Sequence, residues 1–325
     1  AAIAPSLLPA LRMTALAPAI AATLDHLGAQ VLVRGWLSAN NIVFHHGGQG
    51  QVVDTGYISH ADQTLALVDQ ALAGRPLAEV VNTHLHSDHC GGNAALAARW
   101  PGLRITVPAA SRAKLLPWDD SQLSYQETGQ RCAPFVPHAL LADGDTVQLG
   151  GRPWQVHAAP GHDPHSVVLF EPQHGILISA DALWENGFGV VFPELEGDSA
   201  FADVAATLDV IEHLAPRTVI PGHGPVFTDA ARALDGARRR LDGFARNPAK
   251  HALYAAKVLL KYKLLEWQQI ALADLLAWAR ATPYFGMLHA RHFADQAEAE
   301  WLQSLADDLV RSGAAVRQGE WLHNV

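Results

Sequence analysis

The chain has few cysteines and lacks the long apolar runs of membrane proteins. Only two cysteines, Cys90 and Cys132, occur among 325 residues, which is too few for a disulfide scaffold and favours a reducing compartment, with the cytoplasm as the expected location. No run of about 18 apolar residues is free of charge, so we expect no transmembrane helix and a soluble protein. Prolines interrupt the first 22 residues and no basic segment precedes an apolar one. We therefore interpret residues 1–30 as a poorly specified leader rather than a signal peptide.

Positive charge is also scarce. Lys and Arg number 23 against 32 Asp and Glu, which gives a net charge of −9 and argues against a protein that coats nucleic acid with its whole surface. The negative excess lies in residues 1–230, because residues 231–325 carry 13 basic against 10 acidic residues. A local basic face in the C-terminal third therefore remains open.

Helical and strand patterns alternate over most of the chain. With 49% hydrophobic residues, the chain can bury a large core. Amphipathic or helical patterns cover residues 62–73, 93–99 and 201–213. Short β-branched runs predict strands at 30–34, 41–45, 51–53, 78–82, 103–107, 146–149, 154–158, 166–170, 176–179 and 218–220. Residues 31–228 are therefore predicted to form one α/β domain.

The pattern changes at about residue 229. From there to residue 310 almost every segment has helical periodicity, and residues 314–323 then contain two short extended pieces around Gly319, which is typical of a hairpin. Helices followed by a small hairpin predict a helical, winged-helix-like C-terminal domain over residues 229–325.

The most informative segment is rich in histidine. The chain has 18 histidines, and histidine is the side chain most often used to hold transition metals and to move protons near neutral pH. Residues 83–92 follow a predicted strand and read Thr-His-Leu-His-Ser-Asp-His-Cys-Gly-Gly. Four candidate metal ligands, His84, His86, Asp88 and His89, therefore lie on one loop.

Three other loops each follow a predicted strand and each offer one further ligand. They contribute His162 in Pro-Gly-His, Asp181 in Ser-Ala-Asp and His223 in Pro-Gly-His-Gly. Together the four loops supply five histidines and two aspartates, which is enough for two zinc ions with a bridging aspartate and a bridging water. Zinc is the expected metal, although iron or manganese would also accept this mixed ligand set.

This order of residues resembles the metallo-β-lactamase-fold hydrolase superfamily. The resemblance rests on Asp54 in Val-Val-Asp-Thr-Gly, on the His-x-His-x-Asp-His signature over residues 84–89, and on the three single ligands above; it covers about residues 31–225. It implies an αββα sandwich with the site at one edge of the two sheets. It further implies two metal positions, one held by His84, His86 and His162, the other by Asp88, His89 and His223, with Asp181 between them.

The same resemblance gives Asp54 a role behind the ligands. Asp54 would orient the ligand loop, because such partners fix the tautomer and direction of metal-binding histidines. His165, three residues after His162, is predicted to hydrogen-bond the leaving group or the opposing ligand loop, and its alternative is an ordinary packing histidine.

Water is the expected nucleophile, because two nearby cations lower the pKa of a shared water to near neutrality. Asp181 is predicted to help steer this water, and Asp88 to pass a proton to the leaving group. Cys90 lies beside a ligand, but no base motif accompanies it, and we expect it to be a small packed residue.

Two departures from known members narrow the substrate. The resemblance implies that the commonest zinc β-lactamases have Cys where this chain has Asp181, so we do not expect β-lactam hydrolysis. Glyoxalase II shares the ligand set, but Pro-Gly-His-Gly-Pro over residues 221–225 replaces its usual Cys-Gly-His-Glu-Tyr stretch. The C-terminal pattern also resembles β-lactamase-like proteins with a C-terminal winged helix, which include a mitochondrial endoribonuclease and polyketide-releasing thioesterases.

We therefore expect a dinuclear metal hydrolase that acts on a small acyl thioester, ester or lactone. A metal-dependent RNA phosphodiesterase is the alternative, and a non-catalytic ligand-binding protein is the third hypothesis. Trp118, Trp184 and Phe188 flank the ligand loops and are the candidate substrate contacts.

The C-terminal third has two further interpretations. Contacts to RNA are one interpretation of its basic and aromatic residues, but a solvated helix face with the aromatic residues in the core is favoured. The basic residues are Arg238, Arg239, Arg240, Lys250, Lys257, Lys261 and Lys263, and the aromatic ones are Tyr254, Tyr262 and Trp267. Alternatively, its helices wall the metal cleft with aromatic residues around Trp278, Tyr284 and Phe285.

Overall fold

Two mixed β-sheets form the centre of the computed structural model, which describes residues 18–120 and 122–325 apart from the side chain of Ala19. The first sheet has six strands in chain order, β1 (Ala29–Leu32), β2 (Asn41–His46), β3 (Gln49–Val53), β4 (Leu77–Val81), β5 (Arg104–Pro108) and β6 (Ala139–Leu141). The second contains β7 (Thr146–Leu149), β8 (Arg152–Ala158), β9 (Val167–Glu171), β10 (Ile176–Ala180) and β11 (Thr218–Pro221), in the order β11-β10-β9-β8-β7.

Strand periodicity decides how these sheets pack. Ile42 and Phe44 on β2 share one buried cluster with Val167 and Leu169 on β9, so these alternate residues fill the space between the sheets. Val43, which lies between the first two, belongs to a different buried cluster with residues of the helices that cover the first sheet. Each sheet therefore buries both faces.

The part of the chain that the structure describes also contains twelve α-helices. They are α1 (Pro18–His26), α2 (Ala61–Leu72), α3 (Ser87–Cys90), α4 (Asn93–Arg99), α5 (Arg112–Leu115), α6 (Phe192–Glu196), α7 (Phe201–Leu214), α8 (Ala230–Arg246), α9 (Pro248–Trp267), α10 (Leu272–Ala281), α11 (Pro283–His292) and α12 (Glu298–Arg311). Helices α2 and α4 pack on the first sheet, and α7 and α8 pack on the second. The predicted αββα sandwich is confirmed.

The C-terminal helices α9 to α12 surround a core of their own. A third sheet joins them, with β12 (Gln269–Ala271), β13 (Ala315–Gln318) and β14 (Trp321–Asn324) in the order β12-β14-β13. The predicted hairpin is present, and Gly319 adopts the left-handed conformation that its turn requires (φ +62°). The helical C-terminal region is as predicted, whereas the winged-helix assignment stays a prediction.

Every strand and helix that the sequence predicts for the α/β domain is present in the structure, and the predicted and observed ends differ by at most two residues. The leader is corrected in part. Residues 1–17 lie outside the described residues, but α1 follows them and buries Leu24 and Leu27 against the sheets. Residues 18–30 are therefore part of the sandwich, although three prolines in the first 22 residues disguised the helix.

The connection between α8 and α9 follows from two residues. Asn247 ends α8 and caps α9, because its side chain accepts a hydrogen bond from the backbone N–H of Lys250 at 3.2 Å. Pro248 occupies the first turn of α9, where its missing N–H costs nothing. None of the described helices is long and apolar enough to cross a membrane.

A buried ion pair lies where the C-terminal region meets the residues before β6. Lys263 and Glu266 on α9 approach to 2.6 Å with side chains only 6% and 3% exposed. Arg131 reaches the same carboxylate at 2.7 Å. The Nζ of Lys263 also lies 5.0 Å and 4.9 Å from the ring centroids of Trp267 and Trp278.

Removing Lys263 tests this pair. Lys263→Ala is expected to lower the free energy of unfolding by about 3 kcal/mol, because it leaves the buried carboxylate of Glu266 with a single exposed partner. The double variant Lys263→Met/Glu266→Met is expected to lose less, since it leaves no buried charge. Urea unfolding followed by circular dichroism measures both, and equal losses for the two variants would contradict this description of the pair.

Candidate metal centre

The seven candidate ligands come together because each follows the end of a strand at the same edge of the two sheets. Strand β4 leads into the segment that carries His84, His86, Asp88 and His89. Strands β8, β10 and β11 of the second sheet lead into the loops of the other three, His162, Asp181 and His223. The backbone N–H of Gly222 donates to Ala180 O at 2.7 Å and so ties two of these loops together.

Three histidines form the first group. The Nδ1 of His86 lies 3.1 Å from Nε2 of His84 and 2.7 Å from Nε2 of His162. Ring nitrogens at such distances cannot all carry protons that point inward. The three rings therefore turn nitrogen atoms toward one another with the spacing of a metal site.

The second group consists of Asp88, His89 and His223. The Oδ2 of Asp88 lies 3.1 Å from Nε2 of His223. All three residues offer ligand atoms within 4.8 Å of one another. This group therefore also has the donor types and the spacing of a divalent cation site.

Asp181 lies between the two groups. Its Oδ2 is 3.3 Å from Nε2 of His162, and its Oδ1 is 3.5 Å from Nε2 of His89. The indole N–H of Trp184 donates to the same Oδ1 at 3.1 Å. One carboxylate thus reaches both groups.

The residues present fit two divalent metal ions. His89 Nε2 is buried and has no hydrogen-bond partner. Gly222 leaves the space that this site needs, because a Cβ there would lie 2.2 Å from Asp181 Oδ1 and 3.0 Å from His89 Cε1. A buried ring nitrogen without a hydrogen-bond partner can act as a metal ligand, and the space in front of it is free of side chains. A cation would satisfy this nitrogen and occupy this space.

Asp54 anchors the ligand segment from behind. Its Oδ1 accepts a hydrogen bond from Thr83 N at 2.9 Å, and its Oδ2 accepts from Thr83 Oγ1 at 2.8 Å and lies 2.7 Å from His89 Nδ1. Asp54 has a positive φ of 56°, which is uncommon for a residue other than glycine. Asp54 therefore contacts both the start and the end of the ligand segment, and its orienting role stays a prediction.

Other partners fix the remaining rings. The Nδ1 of His84 lies 3.1 Å from Thr83 Oγ1, and Nδ1 of His162 donates to Val190 O at 2.5 Å. Donation through Nδ1 leaves Nε2 of His162 with a free lone pair that points toward the first group. Val190 is itself held in place, because the next N–H, that of Val191, donates to His251 Nε2 at 3.1 Å.

The electrostatics of the site favour metal binding. Burial lowers the pKa of His84 and lowers that of His86 to about 4, so both rings are neutral near pH 7. Burial opposes charge on His89 as well, but the carboxylates of Asp181, Asp54 and Asp88 outweigh it and raise its pKa well above the usual value. The carboxylates therefore stabilise positive charge at this position, which is the charge that a cation supplies.

An open cleft of about 670 Å³ lies in front of both groups. His86, Asp88, His162, Asp181 and His223 line its floor. Its walls are mainly apolar and include Trp36, Trp184, Phe192, Tyr254, Val258, Leu259 and Tyr262. The cleft can therefore accept a molecule with an apolar part next to the polar floor.

Only one of the three candidate substrate contacts lies in this cleft. Trp184 lines it, 5.6 Å from the ring of His223. Phe188 does not, because it is 1% exposed in the core under the second sheet. Trp118 packs against Phe135 with ring centroids 5.4 Å apart and donates to Asp120 at 2.7 Å, away from the cleft lining.

His165 and Cys90 also lie outside the cleft lining. The Nδ1 of His165 is 3.4 Å from Ser111 Oγ, so in this structure it contacts the segment after β5 rather than a ligand loop. Cys90 is fully buried, with Sγ 3.3 Å from the hydroxyl of Tyr125. Burial raises the pKa of this thiol well above its usual value, which fits the predicted packing role.

The C-terminal helices do wall the cleft, but with different residues from those expected. Tyr254, Val258 and Leu259 on α9 supply the wall. Phe285 is buried in the C-terminal core, and Trp278 packs on it with ring centroids 5.6 Å apart. Tyr284 reaches the site only indirectly, through its contact with Phe192.

Sequence reasoning missed Trp36 and Phe192. Trp36 stacks on His223 with centroids 5.4 Å apart and an interplanar angle of 9°, and Phe192 packs edge-on against His86 at 5.1 Å. Neither lies within five residues of a ligand in the sequence. The only available signal was their aromatic character between predicted elements.

The chain is similar in sequence and in fold to known proteins. A family model described as the metallo-beta-lactamase superfamily matches residues 34–223. The chain is 31% identical over 253 residues to a hydroxyacylglutathione hydrolase of Acidiphilium cryptum (strain JF-5), which covers 77% of this chain and 86% of that protein. It is 30% identical over 168 residues to the acyl-coenzyme A thioesterase MBLAC2 of Gallus gallus, which covers 47% of this chain and 58% of that protein.

Other relatives match over a shorter share of their length. The chain spans about half of several curated relatives, for example 46% of the hydroxyacylglutathione hydrolase of Stenotrophomonas maltophilia (strain R551-3). Among solved structures, a beta-lactamase domain protein from Burkholderia ambifaria has a TM-score of 0.56 at 22% identity, covers 92% of each chain and supports the fold. Because the family model matches more than half of the chain, the chain belongs to the metallo-beta-lactamase superfamily.

Proposed function

We propose that the chain is a hydrolase that holds two divalent metal ions and cleaves acyl thioesters. One ion would be held by His84, His86 and His162, the other by Asp88, His89 and His223, and Asp181 would contact both. Zinc is the metal we expect, and iron or manganese would suit the same donors. The observation that carries the proposal is the position of Asp181, whose carboxylate lies 3.3 Å and 3.5 Å from histidines of the two groups.

The thioester is favoured by the relatives and by the cleft. Three relatives, two hydroxyacylglutathione hydrolases and one acyl-coenzyme A thioesterase, are named for the hydrolysis of thioesters, and the apolar walls suit an acyl chain. The two unpaired cysteines are consistent with the predicted cytoplasmic location. Esters and lactones remain within the same reaction class, because each presents a carbonyl to the attacking water.

When bound, the two ions would supply a water of lowered pKa and polarise the substrate carbonyl. Asp181 keeps its negative charge, because nearby His223 and His89 outweigh burial and hold its pKa well below the usual value. Its Oδ1 is fixed by the indole N–H of Trp184, so it can accept a hydrogen bond in a defined direction. Asp88 is 14% exposed toward the cleft. We propose that its carboxylate accepts the proton that the attacking water loses and delivers that proton to the leaving thiolate.

RNA is less well supported as a substrate. Of the basic residues that suggested it, Arg238 pairs with Asp209 and Glu212 at 2.7 Å and 2.8 Å. Lys261 reaches Ala314 O at 2.6 Å, and Lys263 is buried beside Glu266. These three cations are therefore engaged elsewhere, and they do not extend the cluster of Arg239, Arg240, Lys250 and Lys257 into a continuous track for a phosphate backbone.

Asp54→Asn tests the anchoring of the second metal position. The amide keeps the shape of the side chain but removes the negative charge behind His89, so metal affinity is expected to fall about 10- to 100-fold at one of two positions. Competition with a fluorescent chelator measures both affinities. Asp62→Asn, an exposed acid on α2, is the matched control, and equal affinities for Asp54→Asn and the control would refute the role of Asp54.

The reaction class is tested with two substrates side by side. The metal-loaded enzyme is expected to hydrolyse an acyl thioester, to stop when chelator is added, and to leave a labelled single-stranded RNA intact. Asp181→Ala is expected to lose metal and to lower turnover more than about 100-fold. Full metal content and turnover in this variant would exclude the bridging role, and chelator-sensitive cleavage of RNA alone would assign a phosphodiesterase.

A further inference from the structure

A second cavity lies beside the metal cleft and is strongly basic. It has a volume of about 1480 Å³ and opens to solvent. Its charged lining comprises five cations and one carboxylate: Arg232, Arg239, Arg240, Lys250, Lys257 and Glu185. The chain as a whole has a net charge of −9, so this cavity, which we call the basic cavity, opposes the general charge of the protein.

Helices α8 and α9 both face the basic cavity because the turn at Asn247 folds one helix back on the other. Gly236 and Gly243 on α8 contribute no side chains to its lining, and a Cβ at Gly243 would meet nothing within 4 Å. The space between the cations is therefore open to a ligand.

Three of the five cations already have a carboxylate partner. Arg232 pairs with Glu185 at 2.8 Å, Lys257 pairs with Asp308 at 3.6 Å, and Arg239 pairs with Asp235. Among the residues that the structure describes, Lys250 and Arg240 have no such partner. Two positive charges of the basic cavity are therefore not neutralised by the protein.

Arg240 is the more unusual of the two. Its guanidinium carbon lies 4.3 Å from the ring centroid of Tyr254, 5.3 Å from that of Phe244 and 5.7 Å from that of Phe188. Its Nε and Nη2 are buried and have no hydrogen-bond partner. Buried donors of a charged group are almost always satisfied, and the planar guanidinium is suited to phosphate oxygens. Arg240 thus places at the wall of the basic cavity a positive charge that no carboxylate of the described residues neutralises.

The basic cavity and the metal cleft are neighbours. Tyr254 lines both. Trp184 lines the cleft and the next residue, Glu185, lines the basic cavity. Gly187 completes this loop: its carbonyl accepts from Trp184 N at 2.7 Å, and its missing side chain makes room for Arg240, whose Nη1 would lie 3.0 Å from a Cβ. A molecule whose carbonyl lies at the metal centre can therefore place its far end among the cations.

We propose that the basic cavity binds the phosphate groups of the thiol carrier, so that the preferred substrates are acyl thioesters of a phosphorylated nucleotide carrier of the coenzyme A type. This inference rests on the proposed thioesterase function. Several phosphates match several cations better than the two carboxylates and one ammonium of glutathione do. A flexible arm between thioester and phosphates suits two adjacent cavities.

The first test compares two thioesters that differ only in the carrier. Octanoyl-coenzyme A and octanoyl-pantetheine present the same acyl group and the same thioester, but the second has no phosphate. The wild-type holoenzyme is expected to hydrolyse octanoyl-coenzyme A with a kcat/KM at least about 10-fold higher than that for octanoyl-pantetheine, mainly because its KM is lower. Charge-assisted hydrogen bonds to the phosphates strengthen binding by about this factor. Arg240→Gln and Lys250→Gln are each expected to reduce this preference about 10-fold.

Arg238→Gln is the matched control. It removes the same charge from the same helix but pairs with Asp209 and Glu212 outside the basic cavity, so it is expected to retain the wild-type preference. Arg240→Gln removes a side chain that packs on aromatic rings and can disturb folding. Lys250 is exposed, so Lys250→Gln removes a charge from the basic cavity without this effect.

A binding measurement separates this inference from the proposed function. Calorimetric titration of the holoenzyme with adenosine 3′,5′-bisphosphate is expected to show binding that weakens about 10-fold in Lys250→Gln and weakens with salt. Hydrolysis of both thioesters with equal kcat/KM would overturn the inference and leave the thioesterase standing. Hydrolysis of neither thioester would overturn the proposed thioesterase function. Binding of the bisphosphate would then be the only test of whether the basic cavity binds phosphate groups. Tighter binding of RNA than of the bisphosphate, lost in the same variants, would also overturn the inference.

Discussion

The carboxylate of Asp54 is the contact on which the rest of the site depends. Four of the seven proposed ligands lie within residues 84–89, where a short loop runs into the four-residue helix α3. Such a segment has few hydrogen bonds of its own, so its geometry has to come from its surroundings. Asp54 supplies it by binding the start of the segment at Thr83 and its end at His89. The carbonyl of His89 is also held, by Asn82 Nδ2 at 3.0 Å and Thr55 N at 2.7 Å.

The two sheets and the C-terminal helices have different tasks around this segment. The sheets deliver ligands at the ends of β4, β8, β10 and β11, so the polar floor of the cleft belongs to the sandwich. Helix α9 supplies much of the apolar wall, and α8 and α9 supply the cations beyond it. Arg240 and Tyr254 connect the two regions through a 4.3 Å cation–π contact. Under the proposed function, the sandwich would carry out the reaction and the C-terminal helices would select the substrate.

The fold and the proposed ligands could be predicted from local sequence patterns. Contacts that depend on long-range packing could not be predicted in this way. The strands were found because short β-branched runs, such as the one that includes Ile42 and Val43, are a local property of the sequence, and so is the spacing of the four ligands within residues 84–89. Trp36 was not predicted as a site residue, because only tertiary packing brings it next to His223. Phe188 follows a ligand loop yet is buried, since nearness in sequence does not define direction. Arg238 and Arg240 are two residues apart on α8, but helical rotation turns one to acidic partners and the other to the basic cavity.

We propose that the seven residues create two metal positions. Metal content after loading tests it most directly: the purified chain is stripped with chelator, dialysed against zinc and analysed for metal per chain, and its crystals are then examined for anomalous scattering. We expect two bound metal ions per chain, one beside His84, His86 and His162, and the other beside Asp88, His89 and His223. A single ion, or ions bound away from these residues, would contradict it.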